Sequence, residues 1–141
     1  SHLEGKTVQV VADGVYVGTK TVSSGKVDLA TPAARTIVGI AYDSDMETLP
    51  QAYQVQGFGQ GTSKIVRDVW LRLLNTAGLE IGPSSSSLVD VDSMTTNTLQ
   101  SGEFETSVPS EWTQSGQMFV RQSRPLPATI LNICMLTEIG D

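Results

Sequence analysis

The sequence contains few residues of the kinds that usually carry catalysis or bind metals. It has one cysteine and one histidine in 141 residues, so an intramolecular disulfide is excluded and His2 is the only histidine that could act as a base. It contains no G-x-S-x-G nucleophile motif and no His or Cys cluster with zinc-binding spacing. We therefore predict a protein that is not an enzyme and that binds no cofactor.

Charge and long apolar runs are also scarce. Charged residues make up 17% of the chain, the net charge is −6, and the nine Lys and Arg residues form no basic run. Proteins that recognise nucleic acid usually carry a basic stripe, so we expect no sequence-specific contact with DNA or RNA. No apolar run approaches the ~20 residues of a membrane-spanning helix, and we expect no membrane insertion.

Two further features concern the lone thiol and the start of the chain. Cys134 lies in the apolar run 130–136, which predicts a buried and inert thiol. The chain opens with Ser1 and His2 and runs directly into a strand pattern at Lys6. We therefore expect a domain excised from a larger chain.

Turn-forming residues and short alternating segments are abundant. Thirteen glycines and six prolines punctuate the chain, as is typical of short strands joined by turns. Strand-like patterns occur at residues 6–12, 15–17, 19–22, 26–29, 35–42, 52–58, 102–108, 117–122 and 127–139 and in the stretch 64–82. The sequence predicts an all-β fold of about nine or ten short strands without a long helix. Either a β-sandwich or two small fused antiparallel sheets would satisfy it.

The densest apolar stretch, Lys64 to Gly82, has two interpretations. Val69, Leu71 and Leu73 alternate with polar neighbours, and residues 75–78 form a turn signal, which predicts a β-hairpin. A helix is the alternative, because several apolar residues also have helical spacing. The helix would place Leu71 on a polar face, so we favour the hairpin.

Other segments suggest how the strands connect. Asp13-Gly14 predicts a two-residue hairpin turn, and residues 35–42, apolar on both faces, predict a central strand. Residues 43–50 form an acidic loop, and residues 88–98 a surface connection. Residues 117–122 would pair with a mostly buried final strand at 127–139. One domain over 1–141 follows, with possible sub-lobes at 1–50 (a strand meander) and 51–141 (a hairpin-rich sandwich).

Three motifs hint at bound ions or catalysis. Asp43, Asp45 and Glu47 resemble the start of a calcium loop, although Thr48 stands where an EF-hand requires glycine. A solvated acidic loop is the ordinary interpretation. Glu103 and Glu105 lie on one face of a strand and are interpreted as a polar edge. The glycine-rich segment 57–64 precedes a strand rather than a helix, so turn glycines explain it better than a phosphate site.

The aromatic residues allow a binding face. Exposed aromatic rings on a β-sandwich can stack on sugars, which makes Trp70 and Trp112 candidate glycan-binding residues. The alternative is that these rings fill the core or its rim. Trp70 alternates with Val69 and Leu71, so it is expected on the less apolar side of its strand, beside Asp68 and Arg72.

Several strand-and-turn elements together resemble one protein family. They are Leu3–Val8 with Ala12–Gly14, the break at Pro32, and the segments Tyr42–Pro50, Val69–Gly82 and Gln122–Leu131. Over most of its length the chain resembles the tail tubular, or nozzle, proteins of short-tailed bacteriophages, which multimerise below the portal and conduct DNA. The resemblance implies a β-rich domain of a ring-forming virion protein that contacts other tail proteins or the host surface. It implies no catalytic residues.

Three functional hypotheses follow. The leading one is a non-enzymatic structural domain of a phage tail, made in the bacterial cytoplasm and located in the virion, which mediates assembly or host-surface contact. The alternative is a carbohydrate-binding β-sandwich that attaches to host polysaccharide through Trp70 or Trp112. The third is a polysaccharide hydrolase that uses carboxylates such as Asp43, Asp45 or Glu105.

Overall fold

The computed structural model of the protein describes residues 2–52, 61–92, 94 and 97–140. These residues contain ten β-strands and no helix, which confirms the all-β prediction. The strands are β1 (Thr7–Ala12), β2 (Val15–Thr21), β3 (Thr36–Gly39), β4 (Ser44–Glu47), β5 (Lys64–Thr76), β6 (Leu79–Ser84), β7 (Ser87–Asp90), β8 (Gln100–Ser107), β9 (Phe119–Gln122) and β10 (Ile130–Ile139). In this part of the chain no helix has the length and apolarity needed to cross a membrane.

The first three strands form a small antiparallel sheet, here called the N-terminal sheet, in the order β2-β1-β3. The Asp13-Gly14 turn joins β1 to β2 as predicted, with φ of 50° and 83° at its two central residues. β2 runs without interruption from Val15 to Thr21, so the separate strand expected at 19–22 is part of β2.

The central strand β1 has buried residues on both of its faces. Val8 and Val10 are fully buried in a small core with Val22. Val11 points the other way and packs with Ala77 and Leu126, which lie outside the N-terminal sheet. β1 therefore both holds its own sheet together and attaches that sheet to the rest of the protein.

The remaining strands form two antiparallel sheets, here together called the sandwich. One sheet has the order β10-β5-β8 and the other β4-β9-β6-β7. Their facing side chains form one core of ten buried residues, which includes Leu71 and Leu73 of β5, Leu79 and Ile81 of β6, and Val120 of β9. Burial on this scale is the main source of the stability of a domain this small.

The predicted hairpin at Lys64–Gly82 is wrong in its pairing. Both strands exist, but β5 pairs with β8 and β10, whereas β6 pairs with β7 and β9. The link between them turns at Asn75 and Gly78, with φ of 46° and 67°, and carries the buried Ala77. The chain thus crosses from one layer of the sandwich to the other, so that both strands direct their apolar side chains into the same core.

Two predictions for the first part of the chain are also wrong. Residues 35–42 do not form a central strand, because β1 occupies the centre of the N-terminal sheet and β3 lies at its edge with largely exposed side chains. The strand expected at 26–29 is reduced to a single bridge between Ser23 and Lys26. Val27 and Leu29 still pack against the small core, which explains their apolar pattern.

Three connections in the sandwich differ from the predictions. The expected acidic loop 43–50 contains β4, which pairs with β9. The expected connection 88–98 begins inside β7, which pairs with β6. The expected partners 117–122 and 127–139 do not pair, because β9 lies between β4 and β6 while β10 pairs with β5. β4, β9 and β10 have partners far away in the sequence, which local patterns could not indicate, whereas β7 forms a tight hairpin with the preceding strand β6.

The last strand is not mostly buried. β10 lies at the edge of its sheet, and its side chains alternate between exposed and half-buried positions. Cys134 is exposed rather than buried, because it belongs to the outward-facing set. All but the first residue of the strand predicted at 52–58, and the first half of the glycine-rich segment 57–64, lie outside the described residues.

Candidate functional site: the outer face of the β8-β5-β10 sheet

The outer face of the β8-β5-β10 sheet presents a regular array of mostly polar side chains around Trp70. Residues opposite one another in an antiparallel pair share a face, so the register assigns three rows of three. The rows, each from β8 through β5 to β10, are Ser107, Asp68 and Leu136; Glu105, Trp70 and Cys134; and Glu103, Arg72 and Asn132. Neighbouring strands are about 4.8 Å apart and rows about 7 Å apart. We call this array the Trp70 face.

Alternation along β5 places Trp70 outward. Val69 and Leu71 are fully buried in the sandwich core, whereas Trp70 retains 37% of its surface. This confirms the prediction that Trp70 lies beside Asp68 and Arg72 on the less apolar side of the strand. Of the alternative, a ring in the core or at its rim, the core position is wrong.

A hollow of about 260 Å³ lies beside the Trp70 ring. Its lining includes Arg72, Glu103, Asn132 and Cys134. Among the described residues the Arg72 side chain takes part in no ion pair or hydrogen bond, although Glu103 stands opposite it in the strand register. Its guanidinium donors are therefore available to a molecule that enters the hollow.

Two hydrogen bonds within the Trp70 face fix groups beside this hollow. The Ser107 hydroxyl donates to Asp68 Oδ1 at 2.7 Å. Asn132 Nδ2 donates to Cys134 Sγ at 3.1 Å, which orients the amide. The oriented amide leaves its carbonyl oxygen as an acceptor toward the hollow or solvent. The site thus offers one ring, one set of strong donors and several acceptors.

An ion pair stands beyond the Leu136 end of the Trp70 face. Arg67 Nε and Nη2 donate to the two carboxylate oxygens of Glu138 at 2.7 and 3.0 Å. This bidentate contact lowers the pKa of Glu138 and raises the pKa of Arg67. Because Arg67 and Glu138 bond to each other, we do not count them among the polar side chains around Trp70 that are available to a ligand.

Trp112, the other candidate glycan-binding residue, does not join the Trp70 face. It is 54% exposed, and its ring lies against Gly140 and Ser63, where β5 begins. Seven residues separate Ser63 from Trp70, which is about 23 Å of extended strand. The two rings are therefore too far apart to stack on the same sugar.

The carboxylates proposed for a cation lie on the other sheet. Asp45 in β4 receives hydrogen bonds at 2.8 and 2.9 Å from the guanidinium of Arg121 in β9, and Asp43 lies 3.7 Å from the same group. The hydrogen bonds from Arg121 lower the pKa of Asp45, and the pKa of Arg121 is raised. Glu47 is exposed at the end of β4. No group of three or more potential metal ligands is brought together in the described part of the chain.

Two features were missed by sequence reasoning. Lys64 is fully buried, and its ammonium donates to the carbonyl oxygens of Thr62 and Gln114, both at 2.9 Å. A cleft of about 400 Å³ also opens where the N-terminal sheet meets the sandwich, lined in part by Ile37, Ile40 and Leu126. Neither feature has a local signal, since each depends on segments far apart in the chain.

Comparison of the sequence with models of protein families and with curated proteins finds no match.

Proposed function

We propose that this chain is a non-enzymatic structural domain of a bacteriophage tail protein, of the nozzle or tail-tip kind, and that it mediates assembly or contact with the host surface. The resemblance of its strand-and-turn elements to such proteins motivates the proposal. The observation that carries it is a stretch of strongly exposed apolar side chains. Ile37 is 55%, Ile40 62%, Tyr42 78% and Leu49 86% exposed.

Exposed apolar side chains this close together in sequence favour a surface that another protein covers. Contiguous apolar patches on soluble proteins commonly mark protein contacts. Ile37 lies in the edge strand β3, which among the described residues pairs on one side only, with β1, and the other three follow β3 in the chain. A neighbouring subunit or another tail protein that packed on this stretch would remove these side chains from water.

The positions of Asp45 and Glu105 count against the version of the hydrolase alternative in which these two carboxylates act on one bond. Asp45 is held by Arg121 on one sheet of the sandwich, whereas Glu105 belongs to the Trp70 face on the other sheet. Glycoside hydrolysis needs two carboxyl groups about 5–10 Å apart on either side of one bond. Residues on opposite outer faces of a sandwich cannot flank one bond, because the two sheets alone are about 10 Å apart.

The test of this function is the location of the chain. Antibodies raised against the purified domain should label the tails of phage particles that are purified from infected cells producing a protein with this sequence. An Ile40→Ser, Tyr42→Ser variant should reduce incorporation of the protein into particles. Val17→Ser is the matched control on β2, since Val17 is 42% exposed but lies away from the stretch. Absence of the protein from purified particles would end the proposal.

A second candidate function is carbohydrate binding through the Trp70 face. The observation that favours it is the partly exposed Trp70 ring. This ring lies beside the 260 Å³ hollow, which is also lined by Arg72, a residue without an ion-pair partner among the described residues. Surface polysaccharides from candidate bacterial hosts should bind the domain saturably. Trp70→Ala should abolish this binding and Trp112→Ala should retain it, with both variants folded.

A further inference from the structure

We infer that the hollow beside Trp70 is a single-ring subsite for an uncharged pyranose, and that Arg72 and Glu103 set its preference for uncharged sugars over charged ones. This inference rests on the second candidate function, carbohydrate binding, and specifies its ligand. It also names residues that no alternation pattern identifies, because Glu103 and Asn132 reach the hollow from β8 and β10.

The flat platform comes from Trp70. An indole ring offers an apolar surface on which the C–H face of a pyranose can stack, while its edge remains hydrated. The position of Trp70 in the middle strand of three gives this ring a fixed support, since β5 is paired along both sides. A rigid platform reduces the entropy lost on binding.

The carboxylates around the ring disfavour an anionic ligand, and the single guanidinium opposes a cationic group placed inside the hollow. Asp68, Glu103 and Glu105 surround Trp70 and repel an anionic ligand such as a uronic acid. Arg72, on the same face and lining the hollow, repels an ammonium or a basic peptide side chain at close range. A ligand that carries many hydroxyl groups and no net charge meets neither penalty.

The polar groups that line the hollow match such a ligand, although one hydrogen of the Asn132 amide is already donated to Cys134 Sγ. The Arg72 guanidinium donates in a fork, the Glu103 carboxylate accepts, and the Asn132 amide carries both a donor and an acceptor. Neighbouring hydroxyl groups of a sugar ring can donate to a carboxylate and accept from a guanidinium at the same time. Charged groups that bond to neutral partners in this way make stronger hydrogen bonds than neutral pairs do.

The subsite has room for about one sugar unit, because Trp112 lies about 23 Å of strand away from Trp70. Affinity for a short oligosaccharide should therefore be low, with a Kd on the order of 1 mM. High avidity on a cell surface would require several copies of the domain.

The experiment uses Trp70 as its own reporter. In the Trp112→Phe protein, Trp70 is the only tryptophan, so a sugar stacked on it should change the fluorescence saturably. The titrants are neutral oligosaccharides built from glucose, galactose, mannose or N-acetylglucosamine, then oligogalacturonate, glucosamine oligomers and trilysine. Isothermal titration calorimetry on the unaltered protein provides the same comparison if Trp112→Phe does not fold.

We expect at least one neutral oligosaccharide to bind, and oligogalacturonate to bind at least tenfold more weakly. Glu103→Gln should increase the affinity for oligogalacturonate and so reduce the difference between the two ligands. Arg72→Gln should lower the affinity for the neutral oligosaccharide at least fivefold. Leu74→Ala is the matched control: Leu74 is 44% exposed on the same strand but does not line the hollow.

Each remaining outcome counts against a defined part of the argument. If oligogalacturonate or the glucosamine oligomers bind better than every neutral sugar, carbohydrate binding stands and the preference for uncharged sugars is overturned. If trilysine binds best, the face is a peptide site and both proposals for it are overturned. If folded protein responds to no titrant, carbohydrate binding itself is lost, and the tail-domain proposal is unaffected.

Discussion

The N-terminal sheet and the sandwich use the same antiparallel strand pairing but bury very different amounts of apolar surface. The small core of the N-terminal sheet contains three buried residues, whereas the sandwich core contains ten. The N-terminal sheet nevertheless carries strongly exposed apolar side chains, among them Val15, Val17 and Ile37. A sheet with one layer has no second sheet to cover its outer surface, so much of its apolar pattern remains in contact with water.

The contrast assigns different roles to the two regions. The sandwich buries its core between its own two sheets, which cover one another. The N-terminal sheet depends on what it touches: Val11 packs with Ala77 and Leu126, and Gln9 Nε2 donates to the Ser123 carbonyl at 3.1 Å. The exposed apolar stretch that begins at Ile37 is the surface on which we propose that a partner packs. We expect the N-terminal sheet to be the less stable region of the isolated chain.

The largest expected effect comes from truncating the sandwich core. Leu71 is fully buried, and Leu71→Ala should lower the free energy of unfolding by about 2–5 kcal/mol. Val8→Ala, at an equally buried site of the N-terminal sheet, removes two carbons and should cost about 1.5 kcal/mol. Urea unfolding followed by circular dichroism measures both. Equal losses would show that the small core contributes as much as the large one.

A pair of glycine substitutions sharpens the comparison of the two regions. A Cβ at Gly82 in β6 would collide with the Ser87 carbonyl oxygen, so Gly82→Ala should destabilise the sandwich by about 1–3 kcal/mol. A Cβ at Gly39 in β3 meets nothing within 4 Å, and Gly39→Ala should be neutral or stabilise by about 0.4–1 kcal/mol. Thermal unfolding distinguishes the two. A stable Gly82→Ala protein would mean that the β6–β7 turn adapts freely.

A smaller effect should be confined to the N-terminal sheet. The Asp13 carboxylate accepts hydrogen bonds from the backbone N–H groups of Ala34 and Arg35 at 3.1 and 2.8 Å, and its own φ is 50°. Asp13→Ala removes both bonds and places a residue that disfavours positive φ in the turn, which should cost about 1–2 kcal/mol. Asp13→Asn should retain much of the stability that Asp13→Ala loses, because asparagine also accepts hydrogen bonds and tolerates positive φ. Hydrogen exchange should increase in β1–β3 alone, and a uniform increase would contradict the separation of the two regions.

The smallest expected effect is a loss of stability at acidic pH. The folded-state pKa values of Asp45 and Glu138 lie below their ordinary values of 3.8 and 4.5. Their contribution to stability is therefore complete above about pH 4.5 and is lost as the pH falls through the lowered values. Both pairs are exposed and lie in the sandwich, so the effect should be slight there and absent from the N-terminal sheet. Arg121→Gln should reduce the pH dependence of the free energy of unfolding between pH 7 and pH 3. An unchanged pH dependence would contradict the role of Arg121 in lowering the pKa of Asp45.

Local patterns predicted the strands far better than they predicted the partners. The Asp13-Gly14 hairpin was correct, since both strands and the turn lie within fifteen residues of chain. The hairpin at 64–82 and the pairing of 117–122 with 127–139 were wrong, because alternation indicates which side of a strand is buried but not which strand covers it. β4 and β7 were missed, since each has only four residues and neither shows an alternation of apolar and polar residues.

The candidate site divides in the same way. Trp70, Asp68 and Arg72 share a face because side chains in a strand alternate, which is a property of the local sequence. Glu103, Glu105 and Asn132 join them through the pairing of β8 and β10 with β5. Trp112, equally plausible from composition, is excluded from the face by its place near the start of β5.

The sequence alone therefore determined the all-β class, most strand positions, the first hairpin and the outward direction of Trp70. These depend on turn chemistry and on a two-residue period, which act over a few neighbouring residues. The tertiary structure alone decided the division into three sheets, the crossing of the chain between layers at Asn75–Gly78, the burial of Lys64 and the exposure of Cys134. These depend on contacts between residues far apart in the chain, which form only when the whole core is buried at once.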